Sequence, residues 1–172
     1  MRPADLDGKG RWTLEALRER YLQHCRLFRL PPRSLPSGND WPSRKGLIVT
    51  FLDSMIAGMK AGDLACAEIG IELMEEDGGF AFGRILKANT ARALRRCALT
   101  EAQQERVRTR VVGMLARGFM PHEFRDYARL LRHIGLGPHR ERLECAVDRS
   151  DPWVAWYVAY LTRPNPGPKP AR

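Results

Sequence analysis

None of the four cysteines belongs to a CxxC pair, no apolar run is long enough to span a bilayer, and no catalytic signature is recognisable. Each absence removes a class of function. The wide spacing of Cys25, Cys66, Cys97 and Cys145 argues against a zinc ribbon or a thioredoxin-type redox pair. Cys66 and Cys97 stand among small and apolar neighbours, the setting of buried thiols in a reducing compartment, so a cytoplasmic location is expected. Residues 1–10 are polar and no hydrophobic segment follows, so neither a secretory signal nor membrane insertion is expected. Walker A, GxSxG, dinucleotide-binding and kinase patterns are all missing. Gly78-Gly79-Phe80-Ala81-Phe82-Gly83 has glycines but lacks the Lys-Ser/Thr of a phosphate loop, and reads as a turn between helices. The sequence therefore reads as non-enzymatic, with no cofactor and no metal expected.

What the sequence does have is unevenly placed charge. Its 172 residues carry a formal net charge of +9, with a pI near 9.9. Residues 46–83 hold Lys60 against Asp53, Asp63, Glu68, Glu72, Glu75, Glu76 and Asp77, and no other charge. Residues 84–149 hold about twice as many basic as acidic residues, nearly all of the basic ones arginine. An acidic block followed by an arginine-studded one suggests two electrostatic faces, one suited to an anionic partner.

The apolar spacing is helical throughout, which makes the expected fold all-α with about seven or eight helices. The stripe Leu14, Leu17, Tyr21, Cys25, Phe28 marks a helix over 12–29. A connection rich in proline (about 30–45) follows, from Pro31 and Pro32 to Pro42. Residues 46–59 could start as a strand, but continuation through Met55, Ile56 and Met59 favours a buried helix. Further helices are expected over 64–76, 80–97, 100–117, 121–134 and 141–147, with a last one from Asp151-Pro152. Asp63 and Asp151 suit N-caps, Gly62, Gly118 and Gly135 suit helix stops, and Thr100-Glu101-Ala102-Gln103 matches a capping box. Pro121 suits the first position of its helix. Residues 1–162 read as a single helical domain, and 163–172, dominated by proline, as a disordered tail. From 46 to 135 the chain reads as successive helical hairpins with glycine at the turns. This stretch resembles the HEAT and armadillo helical-repeat proteins, whose paired helices stack into a curved solenoid. It contains no clean sequence repeat, so an irregular bundle and a short solenoid both remain open, and no functional residue follows from the resemblance.

The candidate site is built from arginines. With Val107, Val111 and Met114 turned inward, Arg106, Arg110 and Arg117 share a flank of one helix. With Phe124, Tyr127, Ala128 and Leu131 inward, Arg125, Arg129 and Arg132 form a ridge on the next. Arg84 and Arg95 lie on the outer side of the helix before. Guanidinium groups suit phosphate because their planar fork donates two parallel N–H bonds. The counter-reading is internal: Glu68, Glu72 and Glu75 share a helical face that could neutralise an arginine row. As a metal site that acidic face is less favoured than a solvated helix surface. His122, Glu123 and Asp126 superficially resemble the HExxH zinc arrangement, but Asp replaces the second His and no third ligand is identifiable. Trp153, Trp156, Tyr157 and Tyr160 form one aromatic face, which either caps the core or stacks on single-stranded bases; capping is preferred. Trp41 is expected to anchor its loop.

The leading expectation is a binding module that contacts nucleic-acid backbone, or another polyanion, through Arg84, Arg95, Arg106, Arg110, Arg117, Arg125, Arg129 and Arg132. It would suit an accessory subunit of a nucleoprotein complex. The alternative is a protein–protein scaffold using separate acidic and basic faces, with an acidic protein surface among its possible partners. An enzyme with an unfamiliar site at His122, Glu123 and Asp126 is a third reading.

Overall fold

The computed structural model describes residues 10–35, 47–77, 83–145, 147–164, 167 and 169–170. Among them every regular element is helical, as the periodicity predicts. The chain divides into two compact units, Met1–Leu99 and Thr100–Arg172, where the sequence reading has one domain. The division falls inside the stretch that resembles helical repeats.

In the N-terminal unit a 3-10 turn, Gly10–Trp12, leads into α1 (Leu14–Phe28), followed by α2 (Leu47–Lys60), α3 (Leu64–Glu75) and α4 (Gly83–Leu94). Thr13 caps α1 by accepting from Ala16 N at 3.2 Å. Its Leu17, Tyr21 and Cys25 are buried, as the stripe requires. The ambiguous run from Leu47 is helical, and Phe51, Leu52, Met55, Ile56 and Met59 are buried. The predicted stop at Gly78-Gly79, Phe80, Phe82 and Trp41 all lie outside the described residues.

Helix α3 sits in the middle, against α1, α2 and α4. Every residue from Ala65 to Met74 is buried. Small residues make that crowding possible: a Cβ on Gly58 of α2 would come within 2.3 Å of Cys66 Sγ on α3. Asp63 caps α3, accepting from Ala65 N at 2.9 Å and Cys66 N at 3.1 Å. Tyr21 OH donates to the same carboxylate at 3.2 Å and accepts from Arg33 N at 3.1 Å, tying α1 to the α2–α3 corner. Burial pushes the Tyr21 hydroxyl and the Cys66 thiol well above their ordinary pKa values, so neither ionises near neutral pH.

The acidic face departs from expectation. Glu68 and Glu72 are buried, not solvated. Glu72 Oε2 accepts from Arg11 Nη2 at 2.7 Å and from Arg20 Nη1, and Glu72 Oε1 lies 3.0 Å from His24 Nε2. Trp12 Nε1 donates to Glu76 at 2.8 Å, and Lys87 Nζ donates to the Glu76 carbonyl. The reason is positional: a helix enclosed by three others has no solvent face, so its carboxylates need cations from neighbouring elements. Those on Glu72 come from α1 and the turn before it. Burial and the adjacent Arg11 pull Arg20 down to about 10, still charged at neutral pH.

In the C-terminal unit, α5 (Glu101–Ala116) packs on α6 (Phe124–Ile134). A 3-10 turn (Gly137–His139) and the short α7 (Arg140–Cys145) follow, and α8 (Pro152–Thr162) returns against α6 and α7. The capping box is formed: Gln103 N donates to Thr100 Oγ1 at 3.3 Å and Thr100 N to Gln103 Oε1 at 3.0 Å. Gly118 (φ 65°) and Gly135 (φ 81°) adopt the positive φ that ends their helices. Helix α6 starts later than predicted. Pro121 lies in a turn whose Phe124 N donates to Pro121 O at 2.9 Å, and Glu123 occupies the N-cap. Asp151 caps α8 through Trp153 N at 2.7 Å and Val154 N at 3.4 Å.

Arg108 is the buried cation of this unit. Its Nε donates to Gly135 O at 3.1 Å and its Nη2 to Gln104 at 2.9 Å and Ile134 O at 3.4 Å, while Nη1 pairs with Glu101. One guanidinium thus satisfies carbonyls at the end of α6, which helix geometry leaves without intrahelical donors. The described part of the tail also makes contacts. Pro164 O accepts from Arg132 Nη2 at 2.9 Å and Gly167 O from Trp156 Nε1 at 3.3 Å. No helix among the described residues is long and apolar enough to cross a membrane.

Candidate nucleic-acid interface

The eight predicted arginines fall in both units. Arg84 on α4 and Arg95 in the turn after it are exposed on the N-terminal unit. Neither pairs with a carboxylate among the described residues. The other six belong to the C-terminal unit and divide by environment. Arg106 and Arg110 on α5 are half-buried and engaged in contacts of their own. Arg117, at the α5 C-cap, is exposed.

Helix α6 carries the clearest ridge. Phe124, Tyr127, Ala128 and Leu131 are buried, which turns Arg125, Arg129 and Arg132 to solvent. Their states differ. Arg129 Nη1 lies 3.7 Å from the buried Asp126 carboxylate. The Arg132 guanidinium lies 4.5 Å from the Tyr160 ring centroid and also holds Pro164 O. Arg125 has no ion-pair partner among the described residues.

Arg125 lines a cleft of about 560 Å3, together with Met120, Pro121, His122, Asp151, Trp153, Tyr157 and Lys169. The turn before α6 and the first two turns of α8 form its walls. Its floor is fixed: Tyr157 is buried and meets Phe124 edge-on, with centroids 4.9 Å apart. Trp153 remains half-exposed. Beside it, Trp156 stacks on Tyr160 (centroids 5.2 Å apart, planes at 16°), and Lys169 Nζ lies 5.3 Å from the Trp156 centroid. The α8 aromatics therefore differ in placement. Tyr157 caps the core, while Trp153 faces a solvent cleft with cationic groups around it.

The placement of His122 alters the zinc-like triplet. His122 is exposed in the turn, whereas Glu123 and Asp126 are buried, so the three do not share a face. Glu123 Oε2 is buried without a hydrogen-bond partner, and no group of three His, Cys, Asp or Glu is placed to hold a metal among the described residues.

Sequence reasoning missed Lys169, because a tail of this composition offers no packing signal. It also missed Arg11, Arg20 and Arg108 as structural cations; an arginine beside an apolar stripe looks the same whether it turns out or in. No family model, no curated protein sequence and no solved structure matches this chain.

Proposed function

We propose that this protein binds nucleic-acid backbone through its solvent-facing arginines. The observation that carries this reading is Arg125, an exposed guanidinium without a carboxylate partner among the described residues, in a cleft that it shares with Trp153 and Lys169. Arg129 follows one turn later, and Arg117, Arg84 and Arg95 add exposed positive charge. Phosphate matches such groups by charge and by the two parallel N–H donors of guanidinium. Arg108, Arg11 and Arg20 are spent on internal carboxylates and carbonyls and take no part.

Burial of Glu68 and Glu72 weighs against the scaffold alternative, which requires an acidic face open to a partner. It also means that α3 draws its cations from α1 and the turn before it, as far as Glu72 is concerned.

The test is binding of labelled oligonucleotides to the wild type and to the Arg125→Glu/Arg129→Glu variant. Charge reversal of two phosphate contacts should cut affinity by tenfold or more, and Arg125→Glu alone, which leaves the Arg129–Asp126 pair in place, should weaken binding with the melting temperature preserved. Equal affinity of the two proteins would remove the α6 ridge from the interface.

A further inference from the structure

The cleft beside α8 has properties that backbone binding alone does not require. It joins a half-buried indole, a guanidinium without an ion-pair partner among the described residues, and a lysine in a volume of about 560 Å3, within the roughly 300–1,000 Å3 typical of small-ligand sites. A duplex keeps its bases stacked inside, so a recess of this size has nothing to accept from it. An unpaired nucleotide offers what the lining can use: a π-face for Trp153 and a phosphate for the cations. Resting on the nucleic-acid reading above, we propose that this cleft receives one unpaired base of a single strand, stacked on Trp153, with the adjoining phosphate held by Arg125 and Lys169.

The remaining lining fits that assignment. Among the described residues Asp151 is the one carboxylate in the wall, and its Oδ1 is occupied by Trp153 N at 2.7 Å and Val154 N at 3.4 Å. Two cations therefore line the cleft with one carboxylate already serving as a cap. Tyr157 is held edge-on to Phe124 and cannot swing to fill the recess without losing that contact. Trp156 and Tyr160 already stack on each other, with Lys169 and Arg132 against them, whereas Trp153 meets Trp156 edge-on and Tyr157 at a tilt, each at 6.4 Å between centroids, and is stacked face to face on neither.

The experiment compares a labelled oligothymidylate with a duplex of matched length, using the full chain and its Trp153→Ala, Trp153→Phe and Lys169→Ala variants. Wild type should prefer the single strand. Trp153→Ala should lower single-strand affinity about tenfold, the scale of one lost base–aromatic stack, and leave duplex affinity unchanged. Trp153→Phe, which keeps a ring and guards against misfolding of the alanine variant, should bind within about twofold of wild type. It should lose most of the tryptophan quenching that the oligothymidylate causes. Equal loss on single strand and duplex, or quenching that persists in Trp153→Phe, would overturn the base assignment while leaving backbone binding intact. Saturable quenching by thymidine monophosphate at equal or higher affinity would overturn it in favour of a free nucleotide. Failure of every oligonucleotide to bind would remove both proposals together.

Discussion

The guanidinium of Arg132 lies 4.5 Å from the centroid of the Tyr160 ring, and the same group donates to Pro164 O at 2.9 Å. An arginine that reads as a phosphate ligand is thus already committed to holding α8 and the start of the tail. Arg125, two turns earlier on the same ridge, has no such commitment among the described residues. Arg132→Ala should therefore cost stability before it costs binding, by about 0.5–1 kcal/mol for a partly exposed cation–π contact. Urea unfolding should register that loss, while oligonucleotide affinity falls less than it does for Arg125→Ala.

Glu72 collects Arg11, Arg20 and His24 from elements some fifty to sixty residues earlier. Removing a buried partner leaves the others uncompensated. Glu72→Ala should destabilise the protein by about 3 kcal/mol, the lower end for a broken buried pair, because Arg11 can turn to solvent. Glu72→Gln, which keeps acceptor geometry without charge, should cost less. Equal stability of the alanine variant in urea unfolding would show that the cluster contributes nothing.

Arg108 offers a test of geometry against charge. Its Nε and Nη2 reach the Gly135 and Ile134 carbonyls while Nη1 pairs with Glu101, an arrangement that requires a planar fork. Arg108→Ala should cost about 2 kcal/mol through part-buried carbonyls left without donors. Arg108→Lys, a single cationic point, should recover less than half of that in the same unfolding measurement.

Acid sensitivity follows from Glu105. His139 Nε2 lies 2.6 Å from its Oε1, and this contact, with Arg108 nearby, holds the carboxyl below its ordinary pKa. A carboxyl depressed in the folded state contributes stability that is fully present above its unfolded value. That contribution is lost as the pH falls through the folded value. Asp148, depressed by the backbone and hydroxyl of Ser150, behaves alike. Unfolding free energy should decline as pH falls through and below the ordinary carboxylate range. Glu105→Gln should flatten that decline, and an unchanged slope in Glu105→Gln would contradict the assignment.

Much of the architecture is legible in the residue pattern because helix boundaries are chemical. Asp63, Thr100 and Asp151 satisfy free amides, and Gly62, Gly118 and Gly135 turn the chain where predicted. The late start of α6 is less legible, since Pro121 is equally at home in the preceding turn and at a helix start. Burial of α3 is hidden for a different reason. Glutamates at helical spacing look like a solvated face until three helices enclose them. Among the site residues, the inward set Phe124, Tyr127, Ala128 and Leu131 fixes which α6 arginines face out. Nothing local distinguishes the exposed Arg125 from the engaged Arg132, because Tyr160 and Pro164, which hold Arg132, fold back from later in the chain.

The salt dependence of oligonucleotide binding tests the central claim most directly. Three or four phosphate contacts in the C-terminal unit, among Arg117, Arg125, Arg129 and Lys169, should release counterions on binding. The logarithm of the affinity for a single strand should then fall linearly with the logarithm of salt concentration, with a slope of about −2 to −3. No binding at low salt, or a slope near zero, would contradict it.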